Sequence, residues 1–274
     1  MRKPDLYGII KTVIKMEDYL IRQATAEDAA ALLKIYAYYV ENTSATFEYQ
    51  PPSLEDFTGR IIRAGARYPY LVIESELEIL GFAFAHAFRE RPAYDYAAEV
   101  TIYLRHDMRH RGLGRAIYTA LEAELGRMGV RSLYACVAIP SGEDDRLSMD
   151  SPRFHEALGY RRCAEFRNVG WKFDTWYAMV WMEKVIGDFP ADPEPLTPYP
   201  ELLMNTPQDI PEKLSDYDDR PVRLVTEDGE MFIGLCNSFP ASYGELVYNW
   251  SEEGVRLDSR AFFKSQIIRI DPIE

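Results

Sequence analysis

The chain has 274 residues, of which 47% are hydrophobic and 27% are charged, a composition typical of a globular protein with room for two domains. Its net charge of -13 argues against a general affinity for nucleic acid or for anionic membrane surfaces, so we expect neither as a partner. The three cysteines lie far apart without a CxxC spacing, which indicates free thiols in a reducing compartment and no metal site.

The N-terminal segment, residues 1–17, is treated as an extension. It begins with basic residues, but its apolar run is interrupted by Lys11 and Lys15, and no small-residue cleavage site follows. This pattern argues against a signal peptide, and no apolar run approaches the length of a membrane span. We therefore expect a cytoplasmic protein.

Residues 18–187 alternate between strand-like and helix-like patterns. "DYLIRQA" predicts a short strand, after which Thr25 and Asp28 form the start signal of a helix. Ser53 with Asp56 repeats that signal for a second helix. "YLVIES" and "EILGFAFAHAF" flank a polar turn and predict a hairpin, and "AAEVTIYL" predicts a further strand.

The second half of this region continues the alternation. A helix is predicted from Gly112 to Met128, with Gly129 just past its end. A strand "RSLYACVAI", a short helix over Pro152–Leu158 and a closing strand "YAMVWMEKV" follow. Together the elements predict an α/β fold (α+β) with a mixed central sheet flanked by helices.

The character of the chain changes after Gly187. Seven of the 17 prolines fall within residues 188–213, which predicts a linker without regular structure. From residue 214 to 274, "PVRLVTEDGEMFIGLCNSF", "GELVYNW", "GVRLD" and "SQIIRID" predict short strands with a turn at Asp228-Gly229. A small five-stranded β-barrel would fit, and it resembles Lsm-like or SH3-like barrels by strand count and turns.

A glycine-rich turn between a strand and a helix is the feature most informative about chemistry. Arg109, Gly112 and Gly114 form an R-x-x-G-x-G pattern, which turns backbone N–H groups and the positive end of a helix toward one place. That arrangement suits a pyrophosphate, although a glycine-rich helix start with surface arginines is the alternative. A Walker loop would require Gly-Lys-Ser/Thr, and a dinucleotide fold would require G-x-G-x-x-G near the start of the chain, and the chain has neither.

The R-x-x-G-x-G loop resembles the acyl-CoA-binding motif of the GNAT N-acetyltransferase superfamily. The ordered blocks "TFEYQPPSLEDF", "YPYLVIE", "GFAFAHAFRERPAYDYAAEVTIYL", "FHEALGY" and "GWKFDTWYAMVWMEK" are similar to those of its phosphinothricin-acetyltransferase-like branch, over about Asp18 to Val185. The resemblance implies transfer of an acetyl group from acetyl-CoA to the primary amine of a small molecule by direct attack.

The resemblance also implies roles for particular residues. Glu99 takes the place of the general base, needed because an ammonium group cannot attack a thioester, and the alternative is a solvated edge carboxylate. His155 takes the place of a histidine that assists proton transfer, unless it is held by a structural hydrogen bond. The implied acetyl-CoA-binding residues are Ile102, Tyr103, Leu104, Arg109, His110, Arg111, Gly112, Leu113, Gly114 and Arg115.

Acceptor contacts are implied for Phe47, Arg91, Tyr94, Lys172 and Trp176, each of which could instead serve packing. Arg91 is the candidate clamp for a carboxylate if the acceptor is an amino acid. The loop after Pro140 is longer than is usual in this branch and is acidic. If it overhangs the acceptor site it would favour a cationic amine, and the alternative is a solvated loop remote from the site.

Two other classes of function remain open. One is a non-catalytic acyl-CoA sensor that acts through the C-terminal barrel, and the other is a scaffold with a degenerate transferase domain. In the C-terminal region acidic residues outnumber basic ones, which disfavours RNA as its ligand. We expect a homodimer, to which this region could contribute, and its alternative role is that of a stabilising appendage.

Overall fold

The computed structural model describes residues 19–75, 78–204, 213–241, 252–257 and 260–273. Its strands are β1 Leu20–Gln23, β2 Tyr70–Ser75, β3 Glu78–Ala87, β4 Ala97–Leu104, β5 Ser132–Ile139, β6 Arg161–Lys172, β7 Thr175–Val185, β8 Pro221–Thr226, β9 Met231–Phe239, β10 Gly254–Leu257, β11 Arg260–Phe263 and β12 Ile267–Pro272. Its helices are α1 Ala29–Asn42, α2 Leu54–Gly65, α3 Leu113–Met128, α4 Asp150–Ala157 and α5 Tyr199–Met204. The predicted extension, residues 1–17, lies outside the described residues.

The start and stop signals in the sequence act as predicted. The Ser53 hydroxyl accepts a hydrogen bond from the Asp56 amide at 3.1 Å and so caps α2. Gly129 ends α3 with φ +101°, a left-handed conformation that glycine adopts without steric cost. The elements predicted between residues 18 and 159 are thereby confirmed, with small shifts at their ends.

A mixed central sheet organises the molecule and confirms the predicted fold class. Its strands run in the order β11-β10-β9-β1-β2-β3-β4-β5-β7-β6, with β4 and β5 parallel and the other described pairs antiparallel. Helices α1 and α2 bury their apolar residues against one face, and α3 packs on the other. No helix in the described ranges is long and apolar enough to cross a membrane.

Strand β6 was not predicted from the sequence. It is an edge strand of twelve residues that pairs with β7, and residues 161–169 are exposed throughout. Because neither face of this stretch is buried, its side chains show no alternation of apolar and polar residues. Two register shifts along the pair further obscure the pattern.

The proline-rich segment packs against the preceding α/β region rather than standing free. It contains α5, so the expectation of no regular structure is wrong for residues 199–204. Tyr199 and Leu203 are buried in the same core as α3, and the Thr197 amide donates to the Met128 carbonyl at 2.9 Å. Proline at the second position of a helix is compatible with the fold, since its missing N–H would be unsatisfied there.

The C-terminal strands form an extension of the central sheet. They run in the order β12-β8-β9-β10-β11, and β9 also pairs with β1 through Ile233 and Phe232. Closure of a barrel is not confirmed, because no pairing of β11 with β12 is seen among the described residues. The predicted strand "GELVYNW" lies outside those residues, and β11 was not predicted.

Two buried ion pairs link this extension to the rest of the molecule. Arg223 Nε on β8 lies 2.8 Å from Glu124 Oε1 on α3, and both side chains are almost fully buried. Glu74 on β2 is held by Arg22 at 2.8 Å and by Arg260 at 2.9 Å. Buried charges need such partners, so these contacts tie the two regions together.

Candidate active site

The main cleft forms where β4 and β5 part. Residues 97–99 pair in parallel with residues 132–134, and the pairing ends there. Beyond that point the strands enclose a cleft of about 690 Å³, lined by residues 100–104 and 135–138. Each strand has its other neighbour on the far side, so the edges facing the cleft can pair with an extended ligand arm. The predicted residues Ile102, Tyr103 and Leu104 lie on this wall.

The glycine-rich loop enters the same cleft. Of its predicted residues, Arg109, His110, Gly112, Gly114 and Arg115 line the cleft, whereas Arg111 does not and Leu113 is buried in the core. The N-terminus of α3 brings unpaired backbone N–H groups and a partial positive charge here. Among the described residues, the Arg, Lys, Asp and Glu side chains that line the cleft are four arginines and one aspartate: Arg109, Arg115, Arg146, Arg153 and Asp150. In a chain of net charge -13, this cleft is a local site for anions.

Gly112 adopts φ +82°, a left-handed conformation that costs other residues about 1–2 kcal/mol. We expect Gly112→Ala to weaken acetyl-CoA binding about tenfold, which corresponds to about 1.4 kcal/mol, because the strained loop moves its N–H groups away from the phosphates. Calorimetric titration with acetyl-CoA measures the change. Gly142→Ala is the matched control, since a Cβ there meets no atom within 4 Å. Equal affinities of wild type and Gly112→Ala would contradict the role of the loop.

Glu99 lies at the point where the two strands part. Its side chain is 19% exposed, and its Oε1 lies 3.8 Å from His86 Nε2 on the paired strand β3. Burial raises the pKa of Glu99, and electrostatic interaction with His86 and Arg89 opposes that rise. Desolvation in the cleft wall, with a further contribution from the Glu99 carboxylate, raises the pKa of the Cys136 thiol to about 12. Cys136 is therefore a neutral thiol, and Glu99 binds a proton more readily than an exposed carboxylate does.

His155 lines the cleft, is almost fully buried, and has both ring nitrogens hydrogen-bonded. Nδ1 lies 2.8 Å from the Ser151 carbonyl, which can only accept, so Nδ1 carries the proton. Nε2 then accepts from the Tyr118 hydroxyl at 3.0 Å. Burial lowers the pKa of His155, against a smaller opposing contribution from Ser151. The side chain is thus a neutral imidazole in a fixed orientation.

The lowered pKa of His155 predicts a pH-dependent stability. The unfolded chain binds a proton near pH 6.5, whereas the native imidazole remains neutral to lower pH. The unfolding free energy should therefore fall as pH decreases below about 6.5, by up to about 1.4 kcal/mol per pH unit from this group. Urea unfolding of wild type and His155→Asn between pH 7.5 and 5.5 isolates this contribution as a difference. Parallel pH profiles would refute it.

Two of the predicted acceptor residues lie together beside the cleft. Phe47 packs against Tyr177, with ring centroids 6.3 Å apart, and against Gly170, where any Cβ would overlap its ring. Lys172 is 1% exposed, and its ammonium donates to the carbonyls of Thr43 at 2.9 Å and Thr46 at 2.8 Å. Burial lowers the pKa of Lys172 to about 8. Its contacts hold the segment that follows α1.

The other three predicted acceptor residues stand at the surface. Arg91 and Tyr94 lie in the connection between β3 and β4, and Tyr94 is 41% exposed. Trp176 lies at the start of β7, is 52% exposed and contacts Trp171 across the hairpin, with ring centroids 5.2 Å apart. None of these three is among the residues that line the cleft.

The long loop after β5 contributes cleft residues that sequence reasoning missed. Arg146, Leu147 and Ser148 line the cleft, and the Ser44 amide donates to the Arg146 carbonyl at 3.1 Å. The loop is therefore not remote from the site. The sequence signal for these residues is the length of the loop, in which Arg146 follows three consecutive acidic residues.

Comparison with known proteins decides the family. The family model described as an acetyltransferase (GNAT) domain matches residues 21–181. The chain belongs to the GNAT acetyltransferase family. It is similar to the phosphinothricin N-acetyltransferase of Streptomyces viridochromogenes, with 32% identity over 182 residues that cover 66% of this chain and 95% of that protein.

Two further GNAT relatives are informative. The L-methionine sulfoximine/L-methionine sulfone acetyltransferase of Pseudomonas aeruginosa is 30% identical over 165 residues, covering 60% of this chain and 92% of that protein. The crystal structure of a phosphinothricin acetyltransferase from Sinorhizobium meliloti in complex with acetyl-CoA superposes with a TM-score of 0.58 at 30% identity, over 65% of this chain and 97% of that chain. The chain is thus an acetyl-CoA-dependent N-acetyltransferase.

The cleft has the features that this cosubstrate requires. An arginine-rich helix N-terminus suits a diphosphate, and the edges of β4 and β5 suit an amide-bearing arm. The absence of a side chain at Gly114 lets the Phe154 ring pack close to the start of α3, since a Cβ at this position would lie 3.1 Å from that ring. Acetyl-CoA supplies the activated acyl group that the family transfers.

Proposed function

We propose that the chain transfers the acetyl group of acetyl-CoA to the amine of a small amino-acid-like molecule by direct attack, with Glu99 as the general base. The observation that carries this proposal is the half-buried Glu99 carboxylate at the fork between β4 and β5, beside an arginine-rich cleft. The amine arrives as an ammonium with a pKa of about 10, and removal of its proton, directly or through water, creates the nucleophile.

Binding of the donor is assigned to the residues that the sequence singled out. The backbone of residues 102–104 would pair with the pantetheine arm, and Arg109, His110 and Arg115 with the N-terminus of α3 would hold the diphosphate. The position of these groups along one cleft supports the assignment. One N–H group of β4 would stabilise the oxyanion that forms when the amine attacks the carbonyl. Arg111 and Leu113 would act through the loop, since neither lines the cleft.

The acceptor is proposed to be amino-acid-like because relatives of this chain act on phosphinothricin or L-methionine sulfoximine. Phe47, Arg91, Tyr94, Lys172 and Trp176 would shape its pocket. The bonds from Lys172 to Thr43 and Thr46 support a role in fixing the loop that carries Phe47. The exposure of Arg91 supports its availability as a carboxylate clamp.

For His155, the hydrogen bonds to Ser151 and Tyr118 support a positioning role in preference to direct proton transfer. A neutral imidazole whose single proton is donated to a carbonyl has none to give to the departing thiolate. His155→Asn should then lose stability while keeping most of kcat. A large loss of kcat at unchanged stability would contradict the positioning role and would indicate that His155 acts as an acid.

Thiol release from acetyl-CoA with a panel of amino acids and simple amines tests the reaction. Release that depends on an amine, with the N-acetyl product identified by mass spectrometry, is the expected result. Calorimetric binding of acetyl-CoA without turnover on any amine would favour the acyl-CoA sensor. No binding at all would favour the scaffold with a degenerate transferase domain.

We further propose that residues 18–187 form the transferase domain, that residues 188–213 form a linker packed on it, and that residues 214–274 form the small Lsm-like or SH3-like barrel. The strand order and the 3-10 turn of residues 264–266 support the barrel, whose closure needs β11 to meet β12. Free Cys136, Cys163 and Cys236 support a cytoplasmic location.

A homodimer is proposed for the assembled protein. Exposed apolar side chains on β6 and the hairpin after it support this assembly: Phe166, Val169, Trp171 and Trp176. Light scattering in solution should give about twice the chain mass of 31.6 kDa. A mass equal to that of one chain would contradict the dimer.

A further inference from the structure

The loop between β5 and α4 is fixed in place by its own polar contacts. Asp144 accepts from the Arg146 amide at 2.7 Å and from the Tyr177 hydroxyl at 2.8 Å. Leu147 is buried with Ala138 and Tyr177. The loop therefore presents a defined surface to the cleft rather than a solvated chain.

The Arg146 side chain is the charged group that this loop adds to the cleft. It is exposed, and its guanidinium carbon lies 4.1 Å from the centroid of the Phe173 ring. Within the described ranges no carboxylate oxygen lies within 4 Å of that guanidinium. The aromatic face orients the cation and leaves its N–H groups available.

Asp144, Glu48 and Lys172, which lie in this part of the site, hydrogen-bond or form ion pairs with groups other than the Arg146 side chain. Asp144 is bonded to Tyr177 and to the loop backbone, and Glu48 is paired with Arg60 at 2.6 Å. Lys172, the neighbouring cation, is engaged by two carbonyls. Arg146 is therefore a planar cationic donor without a carboxylate partner in the described part of the chain, on a loop that also carries the acidic residues Glu143, Asp144 and Asp145.

We propose that Arg146 binds an anionic group of the acceptor, of the carboxylate class, and so selects amines that carry a carboxylate over amines that carry none. This inference rests on the proposed function. The Arg146 side chain contacts Phe173, and its loop contacts Ser44 and Tyr177. These contacts place Arg146 on the side of the cleft that carries Phe47 and Lys172, and not beside the loop of residues 109–115. A guanidinium pairs with a carboxylate through two parallel hydrogen bonds, which gives geometric selection as well as affinity.

The α-carboxylate and an acidic side chain are two sources of that anion, and three probes separate them. L-Glutamate carries both groups, L-glutamine lacks the side-chain charge, and 4-aminobutyrate lacks the α-carboxylate. Binding of each probe to the full chain saturated with CoA is measured by calorimetry for wild type, Arg146→Ala and Arg146→Lys. Arg167→Ala, an 85% exposed arginine on β6, is the matched control.

We expect Arg146→Ala to weaken L-glutamate binding about tenfold to hundredfold, Arg146→Lys to recover part of it, and Arg167→Ala to leave it unchanged. A loss shared by L-glutamate and L-glutamine identifies the α-carboxylate, and a loss shared with 4-aminobutyrate identifies the side-chain carboxylate. An unchanged affinity for all three probes overturns the inference, as does failure of wild type to bind any of them.

Acetyl-CoA affinity separates this inference from the alternatives. Arg146→Ala should bind acetyl-CoA as wild type does, and a comparable loss there would assign Arg146 to the phosphates and overturn the acceptor role. The proposed function is judged by a different readout, the release of thiol by wild type. If no amine supports thiol release, the proposed function fails while the calorimetric selectivity for anions still decides the role of Arg146.

Discussion

Glu99→Gln should lower kcat for acetyl transfer by about 10²- to 10⁴-fold, the range typical of a lost general base. The substitution keeps the size and polarity of the side chain, so the β4 strand and the cleft should be preserved. The Michaelis constant for acetyl-CoA should change little, because Glu99 is not among the residues that line the cleft together with the glycine-rich loop of residues 109–114.

The pH dependence of the activity should also differ between wild type and Glu99→Gln. Burial raises the pKa of Glu99 above its ordinary value of 4.5, and a base is active only when deprotonated. Wild-type activity should therefore fall as pH decreases toward that raised pKa, and Glu99→Gln should lack this acid limb. The remaining activity of the variant should increase with pH, as more of the acceptor becomes free amine.

A steady-state thiol-release assay between pH 5 and 9.5 measures both effects. Glu165→Gln is the matched control, because Glu165 lies on the exposed edge strand β6. If Glu99→Gln keeps the wild-type kcat and acid limb, Glu99 is a structural carboxylate and another group takes the proton.

Arg223→Met should destabilise the whole protein by about 3 kcal/mol, the lower end of the range for breaking a buried ion pair. The substitution leaves the Glu124 carboxylate, with a side chain only 2% exposed, without the donor at 2.8 Å. Arg127, at 3.0 Å, remains as a partner on the solvent side and limits the loss. Thermal unfolding should shift down by about 6–12 °C for a protein of this size.

The shape of the transition tests whether the C-terminal strands are part of one cooperative unit. Core residues of β8 and β9 pack in the same cluster as α3, including Val225, Met231 and Ile233. Calorimetry should therefore show the loss in a single transition and not as separate unfolding of residues 214–274. Two transitions, with only one displaced, would contradict this coupling.

The double variant Glu124→Leu/Arg223→Met tests whether the loss of stability comes from the unpaired charge of Glu124. With both charges replaced by apolar groups, most of the lost stability should return, because the cost lies in an unpaired buried charge and not in the missing pair itself. No recovery would mean that packing by the Arg223 side chain, and not its charge, links the strands to α3.

Local chemistry explains why much of the fold could be predicted. The capping pairs at Thr25 and Ser53, the glycine ends of α3 and the apolar strands β2 to β5 are each encoded in windows of a few residues. The site could be predicted only in part. The cleft positions of Ile102 and Gly114 follow from their place on a predicted strand and loop, whereas Arg146 acquires its position from contacts with distant residues.

What the sequence determined by itself was the strand, glycine-rich loop and helix of the proposed anion site, the carboxylate at Glu99, and the family that these blocks indicate. The tertiary structure alone decided that β9 pairs with β1, that Arg223 meets Glu124, and that Arg146 faces the cleft. The physical reason is how far apart along the chain the interacting residues lie. Capping, turns and periodicity act between near neighbours in the chain, whereas the β9–β1 pairing and the Arg223–Glu124 ion pair join residues about 100 or more positions apart, whose partners no local pattern identifies.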